Sequence, residues 1–300
     1  MPSAPAATPS VSPALTDLDL RLIAEVDAAL SRFLDSADLP ANLKEAAQHA
    51  VLGGGKRMRP LLVLHSASAV GGAHEQAMPA AIAIELIHAF SLVHDDLPAL
   101  DNDAMRRGLP TVHVAYGEAM AILAGDVLLS LAMESAAATT TQPIQIVREL
   151  ANATTRMING QVLDTLGGFT ADESDLERLH RVHAQKTGAL LVASCRMGAI
   201  AGGGQAASVA GLGRWGHLMG LMFQIVDDLL DETQSAEHVG KAVGKDRNAG
   251  KLTFPGVIGI AASRTEVTRL QAEATAVLAP LGKPAKPLHD VAQFLATRTK

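Results

Sequence analysis

Residues 85–107 read ELIHAFSLVHDDLPALDNDAMRR, an apolar run that ends in four aspartates and two arginines. Ile84, His88, Ser91 and Asp95 stand three or four positions apart, which on an α-helix is one face. Pro98 disfavours helical backbone at Leu97, so the helix is predicted to end near Asp96. Asp95 and Asp101 are six positions apart. A continuing helix would turn them to different faces, whereas a turn at Pro98 can bring Asp101 back beside Asp95. The stretch therefore sets Asp95, Asp96, Asp101 and Asp103 where a helix runs into a loop, with Arg106 and Arg107 just beyond.

A second acidic cluster lies far along the chain in FQIVDDLLD, residues 223–231. Here Gln224, Asp227, Asp228 and Asp231 are spaced so that an ordinary helix aims them in related directions. Singly, each cluster reads as a solvated helix end. Together they read differently, because both follow apolar helical runs and both are followed by basic residues. The simplest use for two such clusters is to hold divalent cations between them. Mg²⁺ takes oxygen ligands, keeps part of its water and bridges a few carboxylates to substrate phosphates. The pair suits a diphosphate better than a protein-only metal cage.

Composition bounds the fold. Of 300 residues 48% are hydrophobic but only 3% aromatic, so the core must be built from Ala, Leu, Val, Ile and Met. These residues are mostly favourable in helices, and an all-α class is expected. Helices are predicted from Asp17 to about Phe33, Leu43 to Val51, Leu61 to Val70, Ala77 to Asp96 and Gly117 to Ala138. Further ones are predicted from Ile144 through Asp164, Asp175 to Gln185, on to about Ile200, Ala206 to Asp231, Pro255 to Ala279 and Leu288 to Thr297. With no repeat and no strong linker, residues 15–300 are read as one domain. The Ala, Pro and Ser-rich residues 1–14 are read as a disordered tail.

Lys and Arg number 25 against 31 Asp and Glu, a formal charge of −6 that gives no global basicity for nucleic acid. An anionic ligand must be met by local basic clusters or by metals. The single cysteine, Cys195, is read as a small core residue; it cannot form an internal disulfide, and no secretory pattern is present, so a cytoplasmic setting is expected. Asp126 and Arg196 interrupt the longest apolar runs, so no membrane span is expected.

In LGGGKRMRP, residues 52–60, three glycines precede Lys56, Arg57 and Arg59. A permissive backbone followed by three cations can approach an anion closely. The order is not that of a Walker loop, and a solvated turn with surface cations is an equal reading. His88, alone on an apolar helix, is more often a satisfied core residue. Lys186, Thr187 and Gly188 interrupt a long apolar region, either as a local irregularity near a ligand or as a simple helix junction.

The runs GGGKRMRP, DDLPALD followed by RRGLP, GQVLD, KTGAL, FQIVDDLLD and the downstream GK, KD and GKLTFP segments resemble those of the all-trans isoprenyl diphosphate synthases, particularly the bacterial farnesyl diphosphate synthases. The likeness covers about residues 50–256, and the paired aspartate-rich motifs with their ordered basic motifs are highly specific. It implies a bundle of long helices around a deep cavity, assembled as a homodimer. It also implies a prenyltransferase reaction: an allylic diphosphate ionises, the double bond of isopentenyl diphosphate attacks the carbocation, and a proton is lost. Several Mg²⁺ ions held by the two clusters would stabilise the charge of the departing diphosphate, and an apolar chamber would keep water from the cation.

The resemblance assigns roles by position. Asp95 and Asp101, supported by Asp96, and Asp227 with Asp228 and Asp231, would hold several Mg²⁺ ions, three when diphosphate is bound. Arg106, Lys186, Lys241 and Lys251 would bind the allylic diphosphate. Lys56, Arg59, His88 and Arg107 would bind isopentenyl diphosphate. Thr187 and Gln224 would place oxygen dipoles near the developing cation, and the leaving diphosphate would accept the proton. A class I terpene cyclase also ionises an allylic diphosphate, but it has no second diphosphate for Lys56, Arg59 and Arg107 to hold. A non-catalytic partner subunit fits poorly with intact acidic clusters.

Product length depends on what lies below the first cluster. Phe90, with Ser91 beside it, sits about 7.5 Å of ideal helix before Asp95, and the family assigns an aromatic here to farnesyl synthases. Helix rotation alone does not aim Phe90 down the face of Asp95, so its role as a floor is implied by the resemblance; stopping at ten carbons or extending to twenty are the alternatives. The segment ETQSAEH after the second cluster departs from the family's usual Gly-Asp pair, which puts the closure of that loop in doubt. Arg298 and Lys300 could help close the site over diphosphate, but a frayed basic tail is the plainer reading.

Overall fold

The structure, a computed structural model, describes residues 16–237 and 252–297. The expected N-terminal tail, Lys241 and Lys251, and the basic ending Arg298 to Lys300 lie outside the described residues. The first helix, α1 (Asp17–Ser36), opens on a reciprocal cap: the Thr16 hydroxyl accepts from the Asp19 amide, and the Asp19 carboxylate accepts the Thr16 amide at 2.9 Å. Then follow α2 (Ala41–Leu52), α3 (Met58–Ala69) and α4 (His74–Asp95). A two-stranded hairpin, β1 (Met105–Arg106) and β2 (Leu109–Pro110), leads into α5 (Val112–Tyr116), α6 (Glu118–Ala137) and α7 (Pro143–Leu166). The remaining helices are α8 (Asp175–Lys186), α9 (Gly188–Ala201), α10 (Ala206–Glu237), α11 (Phe254–Ile258), α12 (Ile260–Leu278) and α13 (Lys286–Thr297), with two 3-10 turns before the last.

The fold is all-α, and α4 is its axis. It packs against α3, α6 and α9, while α10 lies on α9 and α12. Ala80, Ile84, Leu86 and Ile87 are fully buried along α4, and the core around them is aliphatic, as the composition predicts. Cys195 belongs to that core, where burial pushes its thiol up to about 12.

Two sequence expectations need correction. The helix expected over Pro255 to Ala279 is broken at Gly259, whose φ of 83° separates α11 from α12. Gly108 to His113, left outside every predicted helix, holds a strand of the hairpin and the start of α5. Two helices, α4 and α6, do reach the length and apolarity of a membrane span, with mean hydropathy 1.5 each. In the fold α4 is a core helix, and it carries the buried Glu85 in an ion pair with Arg57.

Candidate active site

The polar face read from the sequence exists: His88, Ser91 and Asp95 line one cavity of about 430 Å³ on α4, together with Phe90. Its opposite wall is apolar, with Met157 and Val162 of α7 and Leu190 of α9. Phe90 is only 7% exposed, yet it faces this cavity, which ideal helix rotation from Asp95 did not require.

Asp95 is the last helical residue, and the chain turns back on itself at Pro98. The Asp101 amide donates to the Asp95 carbonyl at 2.9 Å, and Asn102, at φ 52°, donates to the Leu97 carbonyl. The predicted return of Asp101 to Asp95 is thus a hydrogen-bonded turn. Burial pushes the Asp95 carboxyl up to about 6; Lys186 opposes that rise, and Asp101 adds to it. A half-buried carboxyl crowded by other carboxylates is a poor resting place for negative charge and a good one for a cation.

Asp96 is placed differently from its neighbour. It is 3% exposed, and Arg106 grips it through Nε at 2.8 Å and a terminal nitrogen at 2.5 Å, which holds the guanidinium well protonated. The hairpin explains how two adjacent arginines serve different places. Arg107 (φ 54°) and Gly108 (φ 81°) both take left-handed backbone, as a two-residue hairpin turn between paired strands requires. Arg106 reaches Asp96, while Arg107 donates to the Gly54 carbonyl and lies along the backbone of Gly55, whose φ is 136°.

Arg107 therefore joins the glycine and cation segment before α3. A second cavity, of about 330 Å³, is lined by Lys56, Arg59, Glu85, His88, Arg107 and Phe294 among others. Its cations repel one another: burial and Arg107 lower the pKa of Arg59, and burial followed by Arg59 and Arg107 holds His88 well below the usual histidine range. The third cation of the motif, Arg57, also lines this cavity, but its guanidinium is taken up by the protein, where it bonds Asp27, Glu85 and the Val51 carbonyl. Arg59, His88 and Thr187 line both cavities, so the two chambers share a wall.

Of these three, Thr187 stands between α8 and α9, so the interruption at Lys186 to Gly188 is a helix junction at the site. Lys186 pairs with Asp164 at 2.5 Å, and Gly160 allows the approach, since a Cβ there would stand 2.2 Å from the Lys186 amide nitrogen. Thr187 donates to Gln224 at 3.5 Å, and Gln224 donates to Asp228 at 3.1 Å.

The second cluster divides in the same way as the first. Asp227 is half-buried and Asp231 exposed one turn later on α10. Asp228 is 6% exposed and accepts the backbone N–H of Phe254 at 2.9 Å, so it anchors the chain where α11 begins. The Phe254 ring is held in turn between His180 and His183 of α8. Among the described residues no three carboxylate, imidazole or thiol groups gather into a preformed metal cage. The available donors are hard carboxylate oxygens at the end of α4, on the turn after it and on α10, a donor type that fits Mg²⁺ shared with a phosphate ligand.

Sequence reasoning gave no role to Glu85, Asp164 or His94. The first two were visible as carboxylates inside quoted stretches, but only the fold shows the cation each one holds. His94 gave no signal beyond its position.

Residues 40–277 match the sequence profile of the polyprenyl synthetase family. The chain belongs to that family. It is 44% identical over 268 residues to the heterodimeric geranylgeranyl pyrophosphate synthase large subunit 2 of Arabidopsis thaliana, an alignment covering 87% of this chain and 71% of that one. Its fold matches an FPP/GFPP synthase of Zymomonas mobilis with a TM-score of 0.81 at 33% identity, covering 93% of this chain and 98% of the other. It also matches a geranylgeranyl pyrophosphate synthetase of Pyrococcus horikoshii with a TM-score of 0.83 at 32% identity, covering 94% and 98%. The chain is accordingly a prenyltransferase of the all-trans isoprenyl diphosphate synthase type, acting on prenyl diphosphates in isoprenoid biosynthesis.

Proposed function

We propose that this polyprenyl synthetase condenses isopentenyl diphosphate with dimethylallyl and then geranyl diphosphate, and stops at farnesyl diphosphate. The observation that carries the two-substrate reading is the pair of adjoining chambers, one apolar with Asp95 at its edge and one cationic, sharing Arg59, His88 and Thr187. The allylic tail suits the apolar chamber. Its diphosphate would sit towards Asp95, Asp101, Asp227 and Asp231, with Lys186 and Arg106 as cationic partners. Isopentenyl diphosphate suits the cationic chamber, against Lys56, Arg59 and Arg107, where a neutral His88 donates or accepts a hydrogen bond without adding to the charge.

In this reading the allylic C–O bond breaks with its electron pair leaving on diphosphate. The isopentenyl double bond supplies the electrons of the new C–C bond, and loss of a proton to the departed diphosphate restores a double bond. Thr187 presents its hydroxyl dipole at the shared wall, where the cation develops, and Gln224 orients it by accepting its hydrogen bond. Mg²⁺, when bound by the two aspartate clusters, neutralises the charge that develops on the leaving group.

The fifteen-carbon stop rests on Phe90, a buried aromatic lining the apolar chamber on the helix that carries Asp95. The twenty-carbon reading has its own support in relatives named as geranylgeranyl synthases. A homodimer is supported by the outward apolar residues Val114, Ile122 and Leu123 on α5 and α6; light scattering showing only monomer would remove it. The deciding assay supplies Mg²⁺, isopentenyl diphosphate and each allylic primer in turn, with products separated by chain length. Farnesyl diphosphate as the terminal product is expected. A terminal twenty-carbon product would replace the farnesyl reading, and no condensation would remove the synthase itself.

A further inference from the structure

Phe90 does not stand alone in the chamber wall. His94 lies one turn later on α4 and lines the same cavity, and the two rings meet edge to face with centroids 5.0 Å apart and planes at 75°. On a helix a side chain leans back over the turn before it, so the His94 ring lies over Phe90 and its own rotamer decides whether Phe90 can move. That rotamer is fixed from the facing helix. His94 Nε2 lies 3.1 Å from the Ile122 carbonyl on α6; a carbonyl can only accept, so Nε2 carries the proton and donates. The ring also fills a slot that exists because residue 125 is glycine: a Cβ there would stand 2.1 Å from Nε2.

From this geometry we propose that His94, seated against Gly125 and bonded to Ile122, is a positioning residue for product length: it props the Phe90 ring across the chamber. The inference rests on the farnesyl reading given above. An edge-to-face ring pair adds specific attraction to simple burial, and a ring held from two sides cannot swing aside to admit another prenyl unit. Without the His94 ring, Phe90 gains a rotamer and the chamber deepens.

The test is the product distribution of the full chain with Mg²⁺, isopentenyl diphosphate and geranyl diphosphate, for the wild type, Phe90→Ala, His94→Ala and His94→Gln. Glutamine can still reach a carbonyl but brings no ring. Both His94 variants are expected to raise the ratio of twenty- to fifteen-carbon product by about tenfold, the scale on which an apolar pocket discriminates by length, and Phe90→Ala by more. A role confined to stability would lower yield or rate and leave this ratio unchanged. If Phe90→Ala lengthens the product while both His94 variants keep the wild-type ratio, the prop is refuted and the Phe90 floor survives. If Phe90→Ala leaves the product at fifteen carbons, the floor is refuted and the prop with it.

Discussion

Arg57 and Glu85 form an ion pair at 2.8 Å with side chains only 2% and 4% exposed. The same guanidinium takes Asp27 of α1 and the Val51 carbonyl of α2, so one residue at the start of α3 ties three other helices together. Glu85 also opposes the lowering of the Arg59 and Arg107 pKa values, which makes it the standing counter-charge of the cationic chamber. Removing one partner of a buried pair strands the other charge, at a cost of about 3–5 kcal/mol. Glu85→Ala should therefore lose stability on that scale in urea unfolding, and a loss below ~1 kcal/mol would count against the pair as a keystone.

Acid should loosen the α1 end of the bundle. His65 is buried and lies 2.7 Å from the Asp19 carboxylate, with His74 and Asp290 also facing it. Burial lowers the His65 pKa despite Asp19, so the unfolded chain binds a proton there before the folded one does. Stability from this group is complete above its unfolded value near 6.5 and falls as pH drops below it. Asp19 has a lowered pKa, held down by Thr16 and His65 against the rise from burial. Its contribution is complete above 3.8 and falls below that, so the two losses run in the same direction. Melting temperature should decline as pH drops below about 6.5, and His65→Gln should flatten the upper part of that decline. An unchanged profile in His65→Gln would assign the acid sensitivity elsewhere.

In the proposed function Asp95 serves a cation that its neighbours do not replace. Asp95→Asn keeps the shape of the turn but removes charge from the chamber edge, and kcat/KM should fall by about 10²-fold or more, as when several kcal/mol of charge stabilisation are lost. Chelating Mg²⁺ from the wild type should abolish turnover, and restoring it should restore turnover. Turnover that persists in chelator would exclude the metal role proposed for both clusters.

The adjacent aspartates of the second cluster should separate by experiment. Asp228 accepts a buried backbone N–H from Phe254, and Asp228→Ala leaves that donor unpaired, a loss of about 1–3 kcal/mol of stability. Asp227→Ala, at a more open position on α10, should cost less stability than Asp228→Ala while activity falls. If Asp228→Ala melts like the wild type and Asp227→Ala does not, the division between anchor and ligand is reversed.

Spacing and turn chemistry made most of the bundle legible. Pro98 placed the end of α4, and the aliphatic composition placed the class, because both act locally or on average. Charge pairing was not legible in the same way. DD in each cluster reads as two equivalent carboxylates, yet Asp96 is gripped by Arg106 and Asp228 by the Phe254 amide, partners supplied by segments 10 and 26 positions away. Three adjacent cations in KRMR read as one anion site, while Arg57 is drawn inward by carboxylates on α1 and α4. Phe90 reached the chamber although ideal rotation from Asp95 did not aim it there, since the cavity wraps around more than one face of α4.

Gly55 offers a test of the cationic chamber that leaves every charged side chain in place. Its φ of 136° is hostile to other residues, and a Cβ would stand 2.7 Å from a terminal nitrogen of Arg107. Gly55→Ala must therefore shift the backbone or push the Arg107 guanidinium off its seat beside the Gly54 carbonyl, with about 1–3 kcal/mol of local strain. The apolar chamber and Asp95 do not touch Gly55. KM for isopentenyl diphosphate should rise by about tenfold, equivalent to 1.4 kcal/mol, while KM for geranyl diphosphate stays near its wild-type value. Equal rises in both KM values would mean that the two chambers are not separately addressed, and that the wall of Arg59, His88 and Thr187 does not divide one substrate from the other.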